Sequence, residues 1–179
     1  ALRDLSNDRA SALTNNAGGA YFNVAVGNAA TQGNLIVGNS VATLSTSANV
    51  TLVANGSVEL NAAVGNTSVT FTRLEATGPN ANITTGGTSG NYVSGGNVIL
   101  AANLNVGSTG NPVYTAATNL AVNAGAGNVY VQERDNVALR DLSNDRASAL
   151  TNNAGGAYFN VAVGNAATQG NLIVGNSVA

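Results

Sequence analysis

The chain has 179 residues, of which only 8% are charged, and its formal net charge is −2. It contains no Cys, His or Lys, which excludes disulfides, metal sites built on Cys or His, and the usual nucleophile–base pairs of enzymes. All six basic residues are Arg and form no basic stripe, so nucleic acid is not an expected partner. No apolar run approaches the roughly 18 residues that a membrane-spanning helix needs, so membrane insertion is not expected.

A letter-for-letter repeat dominates the organisation of the sequence. Residues 1–42 return without substitution as residues 138–179, at an offset of 137. Self-similarity at a fixed period is the signature of repeat architectures. We interpret 1–137 as one full unit of a tandem array and 138–179 as the start of the next, identical unit; a single duplication inside an ordinary domain is the alternative. The two copies are expected to follow the same backbone path, displaced along one axis by roughly 34 Å.

Short runs of β-branched and apolar residues recur along the chain and predict strands rather than helices. Few residues separate most of them, mainly Gly, Asn, Ser and Ala, which predicts tight turns. Segment 77–96 is the least regular; we interpret it as a looped-out corner, with a flexible linker between domains as the alternative. In chain order the predicted strands are YFNVAV (21–26), NLIV (34–37), NVTLVA (49–54), SVEL (57–60), SVTFTRL (68–74), NVIL (97–100), NLNV (103–106), NLAV (119–122), NVYVQE (128–133) and NVAL (136–139).

Asparagine is unusually abundant, at nearly one residue in six, and it often follows Gly at the start of a predicted strand. Both residues tolerate positive φ, so a G-N pair can turn the chain at small steric cost. Stacked Asn side chains can also bond to one another, whereas stacked charges would repel. With no Trp and only three Phe, the core must consist of Val, Leu, Ile and Ala. We therefore predict an all-β parallel β-helix, a solenoid with roughly 15–22 residues per coil and about seven coils per unit, rather than an antiparallel sandwich.

The segment GGAYFNVAVGNAATQGNLIVGNSVATLSTSANVTLVANGSVEL, residues 18–60, resembles the degenerate coils of filamentous haemagglutinin-type proteins. These are large bacterial surface and secreted adhesins. VYVQERDNVALRDLSN, residues 129–144, is similar to a strand-and-turn phrase of very long, repetitive bacterial outer-surface proteins. The resemblance covers nearly the whole chain, in style and periodicity. It implies a right-handed parallel β-helix, an extracellular or cell-surface location, and the role of a stalk, fibre or adhesin.

Carboxylates cluster near the start of the second copy and are the candidates for catalysis or for calcium binding. The Arg residues interleaved with them favour a salt-bridged, solvated edge and oppose a bound cation. We therefore assign no catalytic, cofactor-binding or metal-binding residue and predict that the chain is not an enzyme; polysaccharide cleavage is the remote alternative. The carboxylates are Glu133, Asp135, Asp141 and Asp145, with Asp4 and Asp8 as copies of the last two; the Arg residues are Arg134, Arg140 and Arg146.

Three aromatic residues, Tyr21, Phe22 and Tyr92, are candidates for a sugar-stacking patch. Packing in the core or at a corner is the preferred interpretation of these side chains.

The expected function is that of a structural repeat segment in a long extracellular or cell-surface bacterial filament. The segment would act as a mechanical spacer, and its expected partner is itself, through head-to-tail stacking or covalent tandem repeats. The alternative is an adhesin module that binds glycan or another cell surface through its lateral face. A stalk would present uniform polar faces, whereas an adhesin would carry an exposed aromatic or charged patch in every unit.

Overall fold

The computed structural model describes residues 21–28, 30–38, 49–86, 90–143, 150–165 and 167–179. Within these ranges the chain is all-β and contains no helix, so none of them holds a helix that could cross a membrane. The strands of these ranges are β1 (Tyr21–Val26), β2 (Leu35–Val37), β3 (Asn49–Ala54), β4 (Val58–Leu60), β5 (Phe71–Ala76), β6 (Ile83–Thr85), β7 (Val93–Ala102), β8 (Val113–Ala124), β9 (Val129–Glu133), β10 (Val137–Leu139), β11 (Asn153–Ala154), β12 (Phe159–Val163) and β13 (Leu172–Val174).

All pairings between these strands are parallel, and the strands form two sheets. A ten-stranded sheet runs in the order β1, β3, β5, β7, β8, β10, β13, with β9 and β11 paired to β8 and β12 paired to β9. A three-stranded sheet has the order β2, β4, β6. From β1 to β7 the chain alternates between the two sheets, so each strand from β1 to β5 pairs with the strand two positions further along the chain.

The spacing between paired residues is longer than predicted. Along the large sheet, Tyr21 pairs with Asn49, Asn49 with Phe71, Phe71 with Asn97, and Asn97 with Asn119. The chain therefore returns to this sheet after about 22 to 28 residues, and the predicted coil of roughly 15–22 residues was too short. The prediction allowed for two short strands per coil. The chain also contacts the next layer at a third place, between the strand of the small sheet and the following strand of the large sheet.

This third contact involves the first residues of the long strands β7 and β8. Val64 forms a bridge to Val93, and Val93 pairs with Thr115. β7 and β8 consequently run from this third ladder directly into the large sheet, which makes them 10 and 12 residues long.

Most predicted strands are confirmed, with two exceptions. NLNV forms no strand, because only Val106 makes isolated bridges, to Ile83 and Val129. β8 extends far beyond the predicted NLAV segment, since VYTAAT also pairs. The described residues of segment 77–96 include β6 and the start of β7, so they pair within the two sheets and form neither a looped-out corner nor a linker between domains.

The core is built from aliphatic side chains stacked on similar side chains. Leu52, Leu74, Leu100 and Val122 are paired in successive strands and are all fully buried. Adjacent strands lie about 4.8 Å apart, so each of these side chains contacts the one above and the one below. Burying one Leu stabilises a fold by about 1.5–3 kcal/mol. The fully or largely buried apolar residues of the described ranges include no aromatic side chain, which confirms the predicted Val, Leu, Ile and Ala core.

A column of polar side chains lies at the corner before the three-stranded sheet. Asn82 Oδ1 accepts the backbone N–H of Asn105 at 3.1 Å, and Asn105 Oδ1 accepts that of Asn128 at 2.8 Å. Asn105 Nδ2 also donates to Asn82 Oδ1 at 2.9 Å. The predicted Asn ladder is thus present, but most of its bonds satisfy backbone N–H groups rather than other amides. The complete column runs Asn34, Ser57, Asn82, Asn105, Asn128, Tyr158.

An insertion interrupts the layer that follows β8. Leu139 pairs with Leu120 and Asn153 pairs with Asn123. Between these two pairs, β8 needs only two residues, whereas the paired layer contains a much longer segment. We call this inserted segment, residues 140–151, the strap; its residues 144–149 lie outside the described part. The two stems of the strap meet in an antiparallel bridge, in which the N–H groups of Leu142 and Leu150 each donate to the carbonyl of the other, at 3.2 and 2.8 Å.

Leu142 and Leu150, in the two described stems of the strap, cover part of the outer side of the large sheet. Leu142 packs with Ile99 and Ala121, which are fully buried although they point away from the main core, and Phe71 and Leu150 border this cluster. The chain re-enters the sheet at Asn152, whose Oδ1 accepts the N–H of Val122 at 3.0 Å. The strap therefore gives this part of the sheet a second, smaller apolar layer.

The two identical copies keep the same turn. Gly27 and its copy Gly164 both have positive φ, 78° and 75°. The side chain of Asn28 accepts the N–H of Thr31, as its copy Asn165 does for Thr168. The local sequence therefore determines the local backbone.

The strands on either side of this turn nevertheless have different partners in the two copies. Phe22 belongs to β1, in the ladder that continues through β3, β5 and β7. Its copy Phe159 pairs with Val129 of β9, and bridges through Val106 connect Val129 to Ile83 in the three-stranded sheet. Leu35 lies in the three-stranded sheet, whereas its copy Leu172 pairs within the large sheet. The expectation that both copies follow one path, displaced by roughly 34 Å, is therefore wrong for the described residues. Alternation in a short strand specifies which side faces the core, but not which ladder the strand joins.

Replacing Asn105 by Ala tests the polar column. The variant loses the acceptor for the Asn128 N–H and the donor to Asn82, so we expect the free energy of unfolding to fall by about 1–2 kcal/mol. Urea denaturation measures this change, and Asn23→Ala, at an exposed position of β1, is the matched control. Equal effects of the two substitutions would contradict a stabilising role of the column.

Replacing Leu142 by Ala tests the strap. Loss of the buried side chain over Ile99 and Ala121 should lower the free energy of unfolding by about 1–3 kcal/mol. The control is Val178→Ala, at a Val that is 38% exposed, for which we expect a change within about 0.5 kcal/mol. If both variants unfold at the same urea concentration as the parent chain, the strap contributes nothing to stability.

Candidate lateral binding site

Strand β9 presents alternating side chains to the core and to the solvent. Val129, Val131 and Glu133 are buried, whereas Tyr130 and Gln132 between them are partly exposed. Arg134 follows the strand and is exposed. The alternation is that of a strand with one packed and one solvated side, and it places an aromatic ring, an amide and a guanidinium in one outward row.

Two further tyrosines flank this row. Tyr114 pairs with Gln132 in the neighbouring strand β8, and its ring contacts that of Tyr92 edge to face, with 6.1 Å between the centroids. The Arg134 guanidinium lies over the Tyr92 ring, 5.6 Å from its centroid, a cation–π contact. We call this surface, made of Tyr92, Tyr114, Tyr130, Gln132 and Arg134, the tyrosine face.

Tyr158 extends the aromatic surface beyond the tyrosine face. The residue is 60% exposed, and its ring contacts that of Tyr130, at 6.3 Å between centroids and a tilt of 33°. The backbone N–H of Tyr158 is held by Asn128 Oδ1 at 3.0 Å, so the polar column fixes the start of this segment.

A cavity lies at each end of the row on β9. The cavity beside Arg134 has a volume of about 370 Å³, and its lining includes Thr67, Thr118, Asp135 and Asn136. The cavity beside Tyr130 has a volume of about 150 Å³ and includes Pro112 and Asn160 in its lining. The row thus connects two depressions rather than crossing a flat surface.

Glu133 is fully buried on the opposite side of β9, which corrects the prediction that it belongs to a solvated edge. Its carboxylate accepts the Thr115 hydroxyl at 2.7 Å, the Ala117 N–H at 3.2 Å and the Arg134 N–H at 3.0 Å. Burial raises the pKa of this carboxyl above its ordinary value of 4.5, and these hydrogen bonds partly oppose the shift. The contacts hold the backbone next to Arg134 in place, so Glu133 positions one end of the tyrosine face.

The remaining predicted charges divide into two groups. Arg134 Nε donates to Asp135 Oδ2 at 3.2 Å, and both side chains are about 40% exposed, which confirms a solvated ion pair here. Arg140 and Asp141 are exposed as well. Asp4, Asp8, Asp145 and Arg146 lie outside the described residues. In the described part of the chain, no three Asp or Glu side chains are grouped closely enough to hold a metal ion.

The three aromatic residues singled out from the sequence do not form one patch. Tyr21 is 52% exposed on β1, and Phe22 packs against the edge of the main core. Of the three, only Tyr92 lies on the tyrosine face. Tyr114, Tyr130 and Gln132 were not predicted, although the alternation in NVYVQER places Tyr130, Gln132 and Arg134 on one side of a strand.

The geometry of the tyrosine face suits binding more than bond cleavage. Its rings offer apolar surface, and Gln132, Arg134 and Asp135 offer hydrogen-bonding groups close by. Glu133 faces the interior, and its oxygens are already engaged by protein donors.

The raised pKa of Glu133 predicts a pH dependence of stability. The folded chain holds a proton at Glu133 that the unfolded chain releases near pH 4.5, so the folded state is favoured at low pH. This contribution disappears as the pH rises from 4.5 through the higher pKa of the folded protein. Relative to the Glu133→Gln variant, the parent chain should therefore lose stability over this window.

Urea denaturation of both proteins from about pH 4 to about pH 8 measures this difference, with exposed Glu59→Gln as the matched control. A stability difference between the parent and Glu133→Gln that stays constant with pH would contradict burial of the carboxyl.

Comparison with protein-family models, with curated proteins and with solved structures finds no match to this chain. The resemblance to filamentous haemagglutinin-type proteins therefore stays a prediction from the sequence.

Proposed function

We propose that this chain is a segment of a long extracellular or cell-surface filament, in which the two sheets are parts of one right-handed parallel β-helix. The support is the strictly parallel pairing, with the chain returning to the large sheet after about 22 to 28 residues. Right-handed connections between parallel strands are strongly preferred. At this spacing one repeat unit corresponds to about six coils, instead of about seven.

The observation that carries the proposal is this parallel stacking of layers, and β13 illustrates how a further layer would be added. Leu172 and Val174 pair with Val137 and Leu139, which are buried in the core, yet they are 43% and 58% exposed. A further parallel layer stacked on β13 would cover both side chains and pair the backbone of the strand. In the proposed filament this layer comes from another unit, either in the same chain or in a second copy.

The letter-for-letter repeat agrees with a mechanical role. In a solenoid each layer contacts only its neighbours, so a copied block adds length without requiring a new interface elsewhere. A heterologous, head-to-tail contact of this kind propagates instead of closing into a dimer. Location on a bacterial surface follows only from the resemblance in sequence style.

A second candidate function is lateral adhesion, and the tyrosine face favours it. A plain spacer has no use for a row of partly exposed rings beside two cavities, whereas an adhesin presents such a patch to its ligand. The two functions are compatible, since a filament can carry a binding surface along its side.

The filament proposal is tested with chains that contain one, two or four repeat units. We expect the unfolding temperature to rise with the number of units, and sedimentation velocity to show end-to-end oligomers. A Leu172→Ser, Val174→Ser double variant should reduce this association, because it removes the apolar contact of the end layer. If a single unit is strictly monomeric and as stable as four units, each unit is an independent domain and the filament proposal fails.

A further inference from the structure

We propose that the tyrosine face binds a neutral oligosaccharide, which lies along β9 from the cavity beside Tyr130 to the cavity beside Arg134. This inference rests on lateral adhesion, the second candidate function, and specifies its site and its ligand class.

The aromatic part of the face is suited to the apolar side of a sugar ring. Tyr114 and Tyr130 are partly exposed, so each ring has surface available to a ligand. Contacts with Tyr92 and Tyr158 hold these two rings in place, at 6.1 and 6.3 Å between centroids. A ring that is already oriented loses little conformational entropy when a ligand stacks on it.

The polar part of the face is suited to hydroxyl groups. Gln132 Nε2 donates to the Gly164 carbonyl at 2.6 Å, which fixes the amide, and no described residue donates to Gln132 Oε1. Beside it, Arg134 supplies N–H donors and Asp135 supplies an acceptor, 3.2 Å apart. Neighbouring hydroxyls of a pyranose can donate to the carboxylate and accept from the guanidinium at the same time.

The charge balance of the site distinguishes neutral from anionic sugars. Arg134 is the cation of the face, and it is paired with Asp135. The remaining groups, Tyr92, Tyr114, Tyr130 and Gln132, are uncharged. A carboxylated or sulfated sugar would therefore meet Asp135 without an unpaired cation to compensate it, so a neutral chain is the better complement.

The dimensions of the face indicate a short chain rather than a single sugar. Tyr130 and Arg134 are separated by about 13 Å along an extended strand. A cavity of about 150 Å³ beside Tyr130 and Gln132 and one of about 370 Å³ beside Arg134 give room for a chain along this length. The parallel ladder beneath keeps this spacing fixed.

The experiment is isothermal titration of the chain with cellohexaose, mannohexaose and xylohexaose, with a galacturonic acid hexamer as the anionic counterpart. We expect at least one neutral hexamer to bind more tightly than the anionic one. Tyr130→Ala and Arg134→Ala should each weaken this binding about tenfold or more. The matched controls are Tyr21→Ala and Arg140→Ala, which remove an exposed ring and an exposed guanidinium outside the face and should leave the affinity unchanged.

Unfolding midpoints of all four variants establish that a loss of binding is not a loss of fold. If a neutral hexamer binds and the face variants bind it as tightly as the parent, the site is wrong while lateral adhesion stands. Tighter binding of the anionic hexamer overturns the ligand class. If none of the four hexamers binds, the oligosaccharide proposal fails, whereas the filament proposal is decided separately, by the unfolding temperatures and the sedimentation of the multi-unit chains.

Discussion

In-register parallel stacking is the constraint on which the rest of the structure depends. Because each layer lies directly on the next, paired residues meet at about the strand spacing, which favours side chains that can neighbour their own kind. Aliphatic residues satisfy this condition in the core, as Leu52, Leu74 and Leu100 do. Asn satisfies it at the corners, where one amide oxygen serves the N–H of the following layer. Low charge and abundant Asn have this one physical origin.

Strand β9 departs from this regularity, both in its buried side chains and in its exposed ones. Around Glu133 a carboxyl replaces an aliphatic side chain in the interior, and the N–H groups of Ala117 and Arg134 turn toward it. On the outer side of the same strand lie Tyr130 and Gln132, and Arg134 follows directly after it. The buried acid and the exposed row belong to consecutive residues, so the support and the surface of the candidate site are encoded in one short segment.

Much of the fold is predictable from alternation and turn residues, since β1, β3 and β9 were identified from their sequences. The alternation in NVYVQE also predicts that Glu133 points to the interior, because it lies on the same side of the strand as buried Val131. The neighbouring Arg residues suggested a solvated edge instead. The partners of each strand were not predictable. Phe22 and Phe159 occur in identical sequences yet lie in different ladders, because partner choice depends on how the preceding chain fills its layer. The tyrosine face likewise combines residues from three separate segments, which proximity along the sequence does not reveal.

The different ladders of the two copies have a geometric consequence for the proposed filament. One repeat unit does not return the chain to the same sheet, since β2 lies in the three-stranded sheet and its identical copy β13 pairs within the large sheet. Successive units would therefore be rotated about the filament axis. A feature that occurs once per unit would point in a different direction each time, so a single filament would present it around its circumference instead of along one line.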